Sequence, residues 1–95
     1  MKIGVLKLTM IISDGQSLKD KRQAVQKIKE RVKNKFNCSV NEVSDQDLWQ
    51  KTTLGFSIIT SSEQDAKTTF QHLIEFIDAM GLGELVTTDL QIFSF

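Results

Sequence analysis

Leu6, Leu8, Met10 and Ile12 stand at alternate positions, with Val5, Lys7, Thr9 and Ile11 between them. A period of two is the spacing of a strand that buries one face. The first set is wholly apolar, so residues 3–12 read as a strand with that set toward the core. From Leu18 the period changes. Leu18, Ala24, Val25, Ile28, Val32 and Phe36 fall within about a third of the circumference at 100° per residue, the apolar stripe of an amphipathic helix. Ser17 precedes the stripe as an N-cap, and Asp20 holds the acidic position of a capping box. Ser13-Asp14-Gly15-Gln16 is the turn between strand and helix.

Asn37 ends the helix, and residues 38–43 resume a strand with Cys38 and Val40 inward. Ser44-Asp45-Gln46-Asp47 breaks the pattern, and Leu48 and Trp49 follow at once. Residues 52–60 alternate again, with Leu54, Phe56 and Ile58 inward and Gly55, Ser57 and Ile59 outward. So short a separation predicts a hairpin. Ser62 caps a second helix with Asp65 in its box, and Ala66, Phe70, Leu73, Ile74, Ile77 and Met80 follow helical spacing. Gly81 stops it. Residues 84–95 read as a last strand, patterned through Val86, Leu90 and Ile92. There is no internal repeat, no linker and no proline.

The order is therefore βαββαβ. A four-stranded antiparallel sheet with two helices on one face satisfies it, an α+β ferredoxin-like sandwich in one domain over residues 1–95. Right-handed crossovers set the first and third strands side by side in the centre. They also bring residues 13–22, 45–50 and 81–83 to one end of the sheet.

Three motifs carry a resemblance. S-L-K-D-K-R at 17–22, F-N-C-S-V at 36–40 and D-Q-D-L-W-Q-K-T-T-L-G at 45–55 resemble the YlxP-like family, small bacterial domains of unknown function. The likeness covers nearly the whole chain. It implies the same ferredoxin-like fold, a bacterial cytoplasmic protein, and, because its members are often encoded beside translation and ribosome-maturation factors, an association with RNA or the ribosome. It supplies no catalytic residues. Cys38 departs from the family pattern, which usually has an aliphatic residue there.

Charge sharpens the picture. The chain is formally neutral, but residues 17–36 carry eight basic and two acidic groups, and residues 42–95 carry two basic and nine acidic groups. Such asymmetry suits a charged partner, or opposite patches that meet in self-association. No apolar run approaches the ~20 residues of a membrane span, and no signal peptide is read. A lone cysteine forms no intrachain disulfide and fits a reducing compartment. The expected location is the cytoplasm, with no membrane partner.

Candidate chemistry is thin. His72 is the only histidine and falls on the solvent side of the second helix. Cys38 reads as core filler with no base beside it. Asp45 and Asp47 are too few carboxylates for a metal site. Gly81-Leu82-Gly83 follows a helix, the wrong context for a phosphate loop. The first strand lacks the aromatics on which RNA-recognition motifs stack bases. The expectation is a non-catalytic protein with neither cofactor nor metal.

Three surfaces remain. The first is the basic helix, where Lys19, Arg22, Lys29 and Lys33 form one outer stripe, and Lys27, Arg31 and Lys35 a second. The first stripe is the candidate nucleic-acid surface. Lys21 falls inside the apolar stripe, near Ser17, Asp45 and Asp47, as an anion site or a structural ion pair. The second surface is the uncovered sheet face, with Val5, Ile11, Ile59 and Phe93 as a candidate interface for a homodimer or higher oligomer. The third is Leu48 and Trp49 at the hairpin, where the Trp ring is a partner anchor or packs against a neighbouring turn or subunit. Two readings follow: an RNA- or ribosome-associated protein, or a self-assembling interaction module.

Overall fold

The computed structural model describes residues 1–13 and 17–95. Its elements are β1 (Lys2–Ile12), α1 (Leu18–Lys35), β2 (Ser39–Ser44), β3 (Lys51–Thr60), α2 (Glu63–Ala79) and β4 (Gly83–Ser94). The sheet order is β2-β3-β1-β4, and every neighbouring pair is antiparallel. This is the βαββαβ ferredoxin-like sandwich, with β1 and β3 central. The turn expected at Ser13-Asp14-Gly15-Gln16 lies, beyond Ser13, outside the described residues.

Both helices begin where their caps require. The Ser17 hydroxyl accepts from the Asp20 N–H at 3.1 Å, and the Ser62 hydroxyl accepts from the Asp65 N–H at 3.1 Å. Gly81 stands just past α2 with φ +67°, the left-handed conformation that ends helices. The core lies between the helices and one sheet face. Leu8, Met10 and Leu54 from the sheet meet Ile28 and Val32 of α1 and Phe70, Leu73 and Ile77 of α2. Phe36 packs edge-on against Phe76 at 5.7 Å and closes the seam between the helices.

Two bulges alter the expected alternation. Thr9 pairs with Thr87 but Met10 pairs with Leu85, so Val86 is an extra residue on β4. The phase shifts there: Leu85 packs against the core, and Val86, which the sequence pattern sets in one series with Leu90 and Ile92, is 53% exposed. Leu90 keeps the inward phase opposite Leu6 but is exposed on the edge strand. On β2, Glu42 pairs with Leu54 and Ser44 with Thr53, leaving Val43 as the extra residue.

The expected clustering of turns at one end is present. The Ile12 N–H donates to the Gln50 carbonyl at 2.7 Å, and the Ser13 N–H donates to the Leu82 carbonyl at 3.2 Å. The start of α1, the β2–β3 hairpin and the α2–β4 turn therefore meet.

Candidate functional site

The start of α1 is built around Lys21, whose side chain is wholly buried. Its ammonium lies 2.6 Å from Glu42 Oε2. It also donates to the backbone carbonyls of Asp45 at 2.6 Å and Gln46 at 3.3 Å. An ammonium has three donors, and all three are used here. Glu42 Oε2 accepts a further hydrogen bond from the Thr52 hydroxyl at 2.6 Å. Asp45 adopts φ +65° at the hairpin. Its carboxylate turns away from Lys21, accepting from the Thr53 hydroxyl at 2.6 Å and lying 3.9 Å from the Lys51 ammonium.

The sequence expectation thus changes in its partners. Lys21 meets Asp45 through backbone rather than carboxylate. Ser17 is occupied as the helix cap, and Asp47 is exposed. Lys21 has no donor left for an external anion. Its carboxylate partner is Glu42, which sequence reasoning missed. Two signals pointed there: Lys21 sits at a core angle of α1, and Glu42 continues the inward phase of Val40. Two opposite charges at core phase are each other's natural partners.

The outer face of α1 contrasts with this closed cluster. Lys19, Arg22, Lys27, Arg31 and Lys33 are exposed, and none is paired to a carboxylate among the described residues. Lys19, Arg22, Gln23, Gln26, Lys27 and Glu30 line a shallow furrow of about 410 Å³ along the helix. Glu30 is engaged by the Gln26 amide at 2.9 Å. Lys29 is half-buried on the flank and lies off the furrow, whereas Lys27, assigned from sequence to the second stripe, lines it. Lys35 lies over the Phe76 ring at 4.8 Å. No large apolar side chain is exposed on α1.

The open sheet face is the second surface. Ile3 stands opposite Ile59 on one side and Phe93 on the other, and Val5 opposite Ser57 and Gln91. Ile11 lies between Lys51 and Glu84 at the far end. Ile11, Ile59 and Phe93 are exposed and Val5 is half-buried. A concavity of about 420 Å³ opens between these ends, with Gly55 and Ser57 in its lining beside Lys7, Asn41 and Asp89. A Cβ at Gly55 would come 2.9 Å from Val43 Cγ1, so the bulged Val43 leaned over this strand needs glycine beneath it. Sequence reasoning missed Met1 and Phe95 on this face, because their placement depends on how the chain ends pair. Leu48 and Trp49 are both exposed near the hairpin.

Among the described residues, no reacting constellation accompanies these surfaces. His72 is exposed on α2. Burial pushes the Cys38 thiol up from its ordinary pKa, with Lys33 pulling weakly the other way, which keeps a thiol protonated and a poor nucleophile at neutral pH. No group of three or more His, Cys, Asp or Glu is placed to hold a metal among the described residues. Nor, among them, is any helix long and apolar enough to cross a membrane.

Comparison with known proteins gives a family and a fold. Residues 3–90 match the family described as "Protein of unknown function (DUF503)". The chain is 40% identical over 77 residues to the uncharacterized protein YlxP of Bacillus subtilis (strain 168), covering 81% of this chain and 84% of that one. Among solved structures it resembles the structural-genomics protein YJCS, with a TM-score of 0.53 and 18% identity over 96% of this chain and 97% of that one. It also resembles a putative chlorite dismutase, TA0507, with a TM-score of 0.54 and 9% identity over 99% of this chain and 45% of that one. At these identities the structural likeness is one of fold.

Proposed function

The chain belongs to DUF503, a protein family of unknown function, and from that premise we propose that it is a non-catalytic RNA-binding protein whose basic α1 face docks on the phosphate backbone. The observation that carries this is the division of labour among the helix cations. Lys21, paired with the carboxylate of Glu42, is sealed inside. Lys19, Arg22, Lys27, Arg31 and Lys33 are left outside with no carboxylate partner among the described residues. Crowding cations near a helix start costs about 0.3–1 kcal/mol each at low salt, and bound phosphate relieves it.

The face has the chemistry of a phosphate track rather than of a protein hot spot. Protein interfaces are anchored by buried aromatic and apolar groups, and α1 exposes no large apolar side chain. Glutamines interleave with the cations in the furrow and supply neutral donors. The acids of α2, including Glu63, Asp65, Glu75 and Asp78, lie exposed on the other helix and would turn the molecule so that α1 leads. The reading concerns backbone contact, so it predicts little sequence preference.

The test is binding of a fluorescently labelled, mixed-sequence single-stranded RNA across a salt series. Contact with about four phosphates gives a log–log slope near −3, so a fourfold rise in salt weakens binding roughly 50-fold. Arg22→Glu with Lys27→Glu reverses two exposed positions and should abolish both binding and slope while the fold persists. Salt-independent binding, or equal affinity in the reversed variant, would refute the proposal. A charge reversal that changed molecular mass instead would favour assembly through the basic and acidic faces.

A further inference from the structure

The sheet face turned away from the helices ends in an apolar patch without intramolecular cover. Ile59, Ile3 and Phe93 form one row across β3, β1 and β4. Met1 and Phe95 lie two residues beyond Ile3 and Phe93, which by strand alternation is the same face. They are fixed there by paired backbone contacts: the Met1 ammonium donates to the Phe95 carbonyl at 2.7 Å, and the Phe95 N–H donates to the Met1 carbonyl at 2.9 Å. Exposure is 69% at Ile59, 48% at Phe93, 90% at Phe95 and 56% at Met1. With Phe side chains offering about 150–250 Å² each, the patch presents on the order of 500 Å² of apolar surface, near the ceiling for a monomer.

We propose that this face is the interface of a two-fold homodimer, with the symmetry axis running along β1. A self-complementary patch repeated by a two-fold axis is the simplest closed assembly. Two such patches give ~1,000 Å² before any rim is counted, the threshold of a specific interface. An axis along β1 lays β3 of one copy against β4 of the other. Ile59 then opposes Phe93 of the second copy, since both stand in the row of Ile3. Two rows further along this face, Gly55 and Asp89 both register with Lys7. Asp89 of the second copy therefore faces the concavity at Gly55, which Lys7 and Asp89 of the first copy also line.

Charge agrees with a copy as the occupant. This face carries Lys7 and Lys51 against Glu84 and Asp89, so it brings no net charge to a face like itself, and the two Lys7 side chains that meet across the axis are flanked by Asp89 of both copies. The outer faces of α1 and α2 are basic and acidic and would each repel their own copy. The free edge of β4 is a poorer route, because Glu84, Asp89 and the bulge at Val86 guard it.

The experiment is sedimentation equilibrium of the full chain up to about 0.5 mM, with circular dichroism to verify folding. The wild-type chain should be dimeric. Ile59→Lys should raise the dissociation constant by about 100-fold or more, because dimerisation would bury an unpaired ammonium. Ile59 is on an inner strand, so dimers paired through the β4 edge would survive the change. Should Ile59→Lys fail to fold, Phe93→Lys takes its place at the opposing position. A monomeric wild-type chain, or a dimer that persists in the folded variant, overturns the proposal.

Discussion

Replacing Lys21 by Met tests whether the buried pair holds the hairpin to the start of α1. Met keeps the length and apolar stem but removes the ammonium. Glu42 then loses its cation, and the carbonyls of Asp45 and Gln46 lose a donor. Removing one partner of a buried pair costs about 3–5 kcal/mol. The lower end applies here, because Glu42 is 16% exposed and keeps the Thr52 hydroxyl. About 3 kcal/mol corresponds to a fall in Tm of roughly 12–24 °C for a domain of this size. Glu42→Leu should cost more, about 4 kcal/mol, since it strands a fully buried ammonium with only carbonyl partners. The double variant should cost no more than the worse single one. Its orphans are then only the Thr52 hydroxyl and two carbonyls, at about 1–3 kcal/mol. The cycle, read by urea denaturation of all four proteins, should show non-additivity of at least about 3 kcal/mol. Additive losses, or Lys21→Met within about 1 kcal/mol of wild type, would refute this reasoning.

Two glycines of one turn should separate conformational from steric cost. Gly81→Ala meets nothing within 4 Å but must hold φ +67°, so thermal unfolding should show a loss of about 1 kcal/mol. Gly83→Ala would put a Cβ 2.5 Å from the Ile11 carbonyl oxygen, where backbone must move, and should lose clearly more, about 2–3 kcal/mol. Cys38 should alkylate with a pH midpoint above that of a free thiol, followed with iodoacetamide and mass spectrometry. A raised thiol pKa means the folded state holds its proton more tightly, so this contribution is full below the unfolded pKa and is lost as pH rises through the folded one.

What was legible in the sequence was local. Ser17 and Ser62 announce their helices because a cap acts within three residues. The strands of the core declare themselves through Leu6, Leu8 and Met10 because pleating imposes its period on the chain. The bulges at Val43 and Val86 were not legible, since a bulge exists only against the register of another strand. Glu42 was legible only in part: its inward phase follows from Val40, but its partner is fixed only once Lys21 is placed above it. Lys29 moved from the outer stripe for a related reason. Its angle on α1 was readable, but how far the neighbouring elements cover the flank of the helix was not.

The layering of the fold keeps the two proposed surfaces apart. Both helices lie on one side of the sheet and the apolar row of Ile3, Ile59 and Phe93 on the other. α1 packs over β2, the edge strand farthest from β4. A two-fold axis along β1 would therefore carry the two basic helices to opposite outer faces of the dimer, diagonally disposed. One straight RNA segment would not lie along both at once. Each protomer would keep its own salt dependence, and only an RNA long enough to wrap the dimer would gain from binding twice. In this arrangement the open face sets valence and the α1 face sets intrinsic affinity, because no residue of the furrow belongs to the apolar row.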